Sequence, residues 1–431
     1  MIPVALALLL VLVGLSIPVG VALGLLGLGL DGMYSMLPLY GAIGELTWSS
    51  STEFLLVAVP LFVLLGEVLL RAGFAEGMYR AMALWLSWLP GGLMHANIGA
   101  CTLFAATSGS SVATSATVGT VSIPQIAKYR YNEPLFLGSI AAGGTLGILI
   151  PPSINLVIYG VLTNTSVPKL YLAGILPGLV LAALFMLTIA LACTLRPAWG
   201  GEPVRASWGE RWASLLDLVP PMGVFLLVVG SIYAGVATPT EAAALGVAGA
   251  VGLAWQRGRL RLEMLREAVE GTMKATAMIM LIVAGSTFLN FVLASTGLTQ
   301  AITDFIRGLG LPPAWMLLAV VLFYLVLGCF METLSMMITT IPIVAPVMVA
   351  LGFDPIWFGI IVILLVELAL ITPPVGLNLF VVQSVRKGGT MGAVIVGVLP
   401  FVLTMLAMIG VLAAFPQLAL WLPAVFATSG G

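Results

Sequence analysis

Long apolar stretches separated by short polar segments run through the chain from end to end. A run of roughly 18 or more residues with few charges has the length and composition of a membrane-spanning helix. Such runs predict spans near 3–30, 54–70, 134–162, 170–195, 218–235, 240–256, 275–295, 355–385 and 392–415. Two further apolar regions, 91–127 and 312–351, carry polar residues at their centres and are read as re-entrant hairpins that enter and leave on one side. The segments before them, 78–89 and 299–309, are expected to lie along the interface as arms. The fold class predicted is an all-α integral membrane protein.

Composition removes the alternatives. The chain is 61% hydrophobic and 8% charged, whereas a soluble domain carries about 25% charged residues, so a soluble globular fold is excluded. With a net charge of −1 and no basic patch outside short loops, no nucleic-acid partner is expected. Cys101, Cys193 and Cys329 stand far apart in apolar surroundings and read as core residues. His95 is the lone histidine, leaving no cluster for zinc or haem; it is placed in the loop at the start of the first hairpin. The stretch 2–30 is too long for a signal-peptide core and lacks a basic start, which makes it a retained anchor.

Loop charge sets an orientation. The loop 31–53 has three carboxylates and no Lys or Arg, whereas the loops holding Arg71/Arg80, Lys128/Arg130, Arg196/Arg205/Arg211, Arg257 to Lys274 and Arg386/Lys387 are basic. The basic loops face the cytoplasm by the positive-inside rule. The N-terminus is then cytoplasmic and, after nine crossings, the C-terminal tail lies outside.

The chain also repeats itself. Pro151-Pro152 recurs as Pro373-Pro374, Asn155 as Asn378, Pro124 as Pro346, Gly138 as Gly359, Pro134 as Pro355, and Gly174–Pro177 as Gly397–Pro400, at an offset of 221 to 223 residues. The matched loops differ in charge, basic at 128–133 and acidic at 350–354. Two halves inverted across the membrane explain both facts, a layout common among secondary transporters. The first repeat covers 1–195 (hairpin 91–127, broken helix 134–162), a cytoplasmic loop and linking span cover 196–235, and the second repeat covers 236–431 (hairpin 312–351, broken helix 355–385).

Polar chemistry concentrates where the backbone leaves helical geometry. Thr107-Ser108-Gly109-Ser110-Ser111 falls at the first hairpin tip, and Glu332-Thr333-Leu334-Ser335 at the second. Irregular backbone at membrane depth is tolerated only where it is buried or lines a cavity, and several neutral oxygens suit a small hard cation. A single serine would signal only close helix packing; five consecutive Thr, Ser and Gly residues favour a site. The double prolines Pro151-Pro152 and Pro373-Pro374 remove backbone donors and break their spans. The half-helix ends offer carbonyls to a cation and amides to an anion. From 308 to 385 the ionisable Asp, Glu, Lys and Arg residues are Glu332, Asp354 and Glu367. Glu332 and Glu367 are functional candidates by virtue of intramembrane charge, Glu332 with hairpin capping as its alternative role. Glu67 reads as a packed or interfacial carboxylate. Thr238-Pro239-Thr240-Glu241 has the spacing of a capping box at a helix start.

The run Gly235 to Ala244, with Ser108-Gly109-Ser110-Ser111, Ile150-Pro151-Pro152-Ser153, Tyr159-Gly160 and Thr372-Pro373-Pro374-Val375-Gly376 in order, resembles the large membrane subunit (DctM-type) of tripartite ATP-independent periplasmic transporters over the whole chain. The Tyr129-Arg130-Tyr131 turn departs from the family pattern. The resemblance implies an elevator-type transporter of the ion-transporter superfamily, driven by Na+ as coupling ion in the bacterial inner membrane. Its implied partners are a small four-helix membrane subunit and a periplasmic substrate-binding protein that delivers an organic anion, such as a dicarboxylate or sugar acid. It further implies one cation site at Ser110, Ser111, Gly144, Thr145 and Ser153 and a second at Glu332, Thr333, Ser335, Thr372, Gly376 and Asn378. Because neither tip nor break holds Lys or Arg, substrate recognition is assigned to Ser108, Ser110, Asn155, Thr372 and Asn378, with half-helix amides and bound cation charge. A proton-coupled carrier and a passive channel are alternatives on the same fold. An intramembrane serine protease would have only Ser108 or Ser110 with His95, and Gly143–Gly147 lacks the lysine of a phosphate loop, so no enzymatic activity is expected.

Overall fold

The computed structural model describes the chain except for Met1, Ser16, Pro203, Arg205, 298–300, 302–303, 305–307, 309–311, 329–330, 374–375, Lys387 and 429–431, and gives the backbone alone at 2, 3, 6, 10, 13, 107, 427 and 428. The expected arm at 299–309, Cys329, Arg205, Lys387 and the Pro374-Val375 part of the second break therefore lie largely or wholly outside the described residues. Among those described, every regular element is helical.

Helices Phe54–Arg71, Val167–Leu195, Leu262–Ser295, Thr333–Ala350 and Met391–Ala414 are each long and apolar enough to cross a bilayer. The pair Glu133–Leu149 and Ile154–Thr163 bends by 44° at its break. The second repeat breaks at the matching place, between Pro355–Ile371 and Leu377–Arg386. Both first halves begin the same way. Asn132 caps its helix by accepting from Leu135 N (3.1 Å) and Asp354 by accepting from Ile356 N and Trp357 N (2.8 and 3.0 Å), each with a proline in the first turn. An oxygen at the cap and a proline where no amide partner is needed fix a helix start.

Hairpin one runs out along Leu93–Ser108 and back along Ser111–Ser122; hairpin two pairs Pro313–Leu327 with Thr333–Ala350. The arms of the second are bridged by the hydroxyls of Tyr324 and Thr340 at 2.5 Å. Pro342 denies Ile338 its helical donor, and Ser286 supplies one instead (2.7 Å). The core is centred on the first halves of the two broken spans, where 135–149 and 357–371 are buried without exception, as expected for helices apolar all round. Glu133–Leu149 crosses Met391–Ala414 so closely that a Cβ on Gly397 would overlap the carbonyl oxygen of Pro134, and one on Gly138 that of Gly397. The repeats are thus interlocked, each packing its broken span against the other. Outside them, Val19–Tyr34, Ala58–Arg71, Pro239–Gln256 and Leu262–Ser295 pack on one another as a separate layer.

Three expectations change. The predicted span 3–30 is two helices, Ile2–Gly14 and Val19–Tyr34, because Pro18 caps the second and cannot continue the first. His95 is not in a loop: it lies in the first turn of Leu93–Ser108, buried, with Nε2 2.8 Å from Pro90 O. The loop 31–53 contains short helices, anchored where buried Asp31 accepts from the amides of Leu39 and Tyr40.

Candidate functional site

Both hairpin tips line one cavity of about 240 Å³. Ser108 to Ser111 contribute from the first, Glu332, Thr333 and Leu334 from the second, and Asn155 from the first turn after the break; Gly66 and Glu67 close it from the outer layer. A Cβ on Gly66 would stand 2.9 Å from Ser108 O, so the layer touches the tip backbone directly. Glu67 is ion-paired with Arg71, which also reaches Glu267 at 3.3 Å. Glu67, read from the sequence as a packed or interfacial carboxylate, thus stands partly exposed at the cavity wall.

The tip serines cap. Ser110 Oγ accepts from Ala113 N (3.3 Å), and its counterpart Glu332 accepts from Ser335 N (2.7 Å) and Ser335 Oγ (2.8 Å). Ser153 Oγ accepts from Leu156 N (3.4 Å) after the break, where the Pro151-Pro152 bond is cis. Thr145 and Thr372 donate back to Ala142 O and Leu368 O, both at 2.6 Å. A hydroxyl so engaged retains a free lone pair. Ser108 Oγ meets Thr114 Oγ1 at 3.0 Å. Tip and break touch: a Cβ on Gly147 would lie 2.9 Å from Ser110 O, and one on Gly144 would overlap Ser115 Oγ.

Glu367, flagged by its intramembrane charge, has a partner that sequence alone does not reveal. It is completely buried in Pro355–Ile371. Ser111 Oγ lies 3.1 Å from both of its carboxylate oxygens, and Ile148 N donates to Oε1 at 3.1 Å. One side chain of the second repeat therefore holds the hairpin tip and the break of the first.

Asn378 is fully buried and points across the repeats, its Nδ2 donating to Ala141 O at 3.3 Å. It does not line the tip cavity that holds Glu332 and Thr333, with which the cation assignment grouped it. Its Oδ1 has no hydrogen-bond partner among the described residues, and neither have Asn155 Nδ2 and Ser115 Oγ. Orphaned buried polar atoms are uncommon in native structures, and seven of the eleven found among the described residues lie on the hairpin and broken-span helices. Gly376 has φ +40 and sits against Leu370 O. His95 is 13 residues from Ser108 along one helix, about 20 Å, so no serine–histidine pair forms. No group of three His, Cys, Asp or Glu able to hold a metal occurs among the described residues.

Residues 6–418 match the family described as tripartite ATP-independent periplasmic transporter, DctM component. A C4-dicarboxylate TRAP transporter large permease protein of Pseudomonas aeruginosa is 36% identical over 87% of this chain and 88% of its own length. The sialic acid large permease of Vibrio cholerae is 34% identical over 87% of each chain, and the ectoine large permease of Halomonas elongata 32% over 85% and 86%. Among solved structures, the Alcanivorax borkumensis YdaH transporter matches with a TM-score of 0.62, covering 93% of this chain and 98% of that one at 17% identity, which is a likeness of fold.

Proposed function

The chain belongs to the DctM family of tripartite ATP-independent periplasmic transporters, and on that premise we propose that it imports an organic acid by sodium-coupled secondary transport. It is a multi-pass membrane transporter component and not an enzyme. The observation that carries the proposal is the meeting of both hairpin tips and Asn155 in one cavity whose lining includes no Lys or Arg.

The relatives named for C4-dicarboxylate and sialic acid point to a carboxylate, delivered by a periplasmic binding protein to a complex with a small four-helix membrane subunit. Ser108, Ser110 and Asn155, which line the cavity, would receive it; Thr372 and Asn378, also assigned to the substrate from the sequence, do not line it. Neutral hydroxyl and carbonyl oxygens fit a hard monovalent cation, and the orphaned Asn378 Oδ1 and Ser115 Oγ are acceptors such an ion would satisfy. Sodium would be held at the first tip and break by Ser110, Ser111, Gly144, Thr145 and Ser153, and around the second by Glu332, Thr333, Ser335, Thr372 and Gly376, with Asn378 reaching across. Bound sodium supplies the positive charge that the lining lacks. Interlocked hairpins and broken spans would move as one body past the outer layer, an elevator with the N-terminus cytoplasmic and the C-terminus periplasmic. A ligand shifts that equilibrium only through its differential affinity for the two positions.

The test is uptake of radiolabelled organic acids into proteoliposomes holding the chain with its small subunit and binding protein, with and without an inward sodium gradient. Saturable uptake that requires sodium supports the proposal. Uptake indifferent to sodium overturns it in favour of proton coupling through Glu332 or a passive pore.

A further inference from the structure

Resting on the importer reading, we propose that Lys169 and the cavity beside it form the site at which the organic anion is first received on the outer face. Of the Lys and Arg residues among those described, all but Lys169 lie in or beside the basic loops assigned to the cytoplasmic side. The opposite face carries Asp31, Glu45, Glu53, Glu241 and Asp354. Among the described residues, an incoming carboxylate meets like charge at these positions of the face and opposite charge at Lys169, and a charge set in a concave site raises the local concentration of its counter-ion.

The cavity measures about 610 Å³, room for a small organic acid with water. Lys169 lines it with Thr163, Thr165, Ser166 and Asn164, facing the proline-containing arm of hairpin two at Pro342 and Pro346. The lysine is exposed and has no carboxylate partner among the described residues. Thr163 and Thr165 hydroxyls hold each other at 2.8 Å, and Asn164 ends the helix Ile154–Thr163 in the left-handed conformation (φ 52) that asparagine adopts at helix C-termini.

The position relates this cavity to the tip cavity. Asn155 and Thr163 stand near opposite ends of the same ten-residue helix, Ile154–Thr163, about 12 Å apart along its axis. The partner helix, Thr333–Ala350, likewise contributes Thr333 to the tip cavity and Ile341 to Val349 to the outer one. The two cavities therefore lie at the two ends of one helix seam, which places Lys169 at the outer entrance.

Two measurements test this without knowledge of the substrate and then with it. In a variant with its native cysteines replaced by alanine, Thr165→Cys is labelled in intact cells with membrane-impermeant anionic and cationic methanethiosulfonates. A unit charge about 7 Å away changes each rate roughly threefold in opposite directions, so the anionic-to-cationic rate ratio should fall about tenfold when Lys169→Gln is added and persist with Lys169→Arg. A ratio unchanged by Lys169→Gln, or absence of labelling from outside, overturns the inference whatever the transport assay shows. In proteoliposome uptake at subsaturating substrate, Lys169→Gln should lower the apparent affinity with the maximal rate retained, and Lys169→Arg should restore it. Full affinity in Lys169→Gln overturns the inference and leaves the importer reading standing, whereas a wild-type chain that does not transport defeats that reading while the labelling result still decides the charge.

Discussion

Replacing Glu367 by alanine tests the link between the repeats. Its two oxygens satisfy the Ser111 hydroxyl and the Ile148 amide in a place with no exposure, so truncation strands two buried donors. Each stranded group costs about 1–3 kcal/mol, and the emptied volume adds to that, giving roughly 3–5 kcal/mol of destabilisation. Glu367→Gln behaves differently. The amide oxygen can occupy the place of Oε1, which lies within reach of both donors, and only the shared contact at Oε2 is lost, at about 1 kcal/mol. The assay is denaturant or thermal unfolding of the purified protein in one detergent, read for wild type and both variants. Alanine should be far worse than glutamine. Equal losses, or an alanine variant within about 1 kcal/mol of wild type, would refute the claim that hydrogen bonding to the first tip and break is what Glu367 provides.

Asn378→Ala should leave stability nearly unchanged, since it removes one long bond to Ala141 and an unpartnered oxygen, while lowering the apparent affinity for sodium by about tenfold, the loss of one ligand worth about 1.4 kcal/mol; uptake against sodium concentration reads it. Gly397→Ala forces a Cβ into the Pro134 carbonyl and should abolish accumulation of folded protein, measured as monodisperse yield after detergent extraction. Thr238→Ala breaks the capping box, in which Thr238 Oγ1 accepts from Glu241 N (3.3 Å) and Glu241 from Thr238 N (2.8 Å); it should cost about 1 kcal/mol of stability with uptake per folded molecule preserved.

What could be read from the sequence was whatever depends on neighbours in the chain. The double proline marks a break because proline acts on its own helix, and the capping box spans only four residues; both appear as expected. The repeat was legible because matching residues keep one offset, and it reappears in equivalent caps at Asn132 and Asp354 and in interior prolines Pro177 and Pro400. The Glu332 alternative, capping the hairpin, is the arrangement found. Contacts between halves left no such trace. Ser111 and Glu367 are 256 residues apart, and nothing near either one names the other. Asn378 was grouped with the second hairpin tip by resemblance and repeat symmetry, whereas packing turns its amide to Ala141 in the other repeat. Hydropathy alone merged the first two helices, since an apolar average passes over the missing amide of Pro18.

The glycine crossing of Gly138 and Gly397 bears on how this protein can be divided. A gene cut between the repeats would yield two polypeptides of plausible length, yet each would present to lipid a groove shaped for the other's backbone. The two halves that 196–235 separates along the sequence therefore meet backbone to backbone in space. Split chains should be recovered from the membrane only when both are made in the same cell.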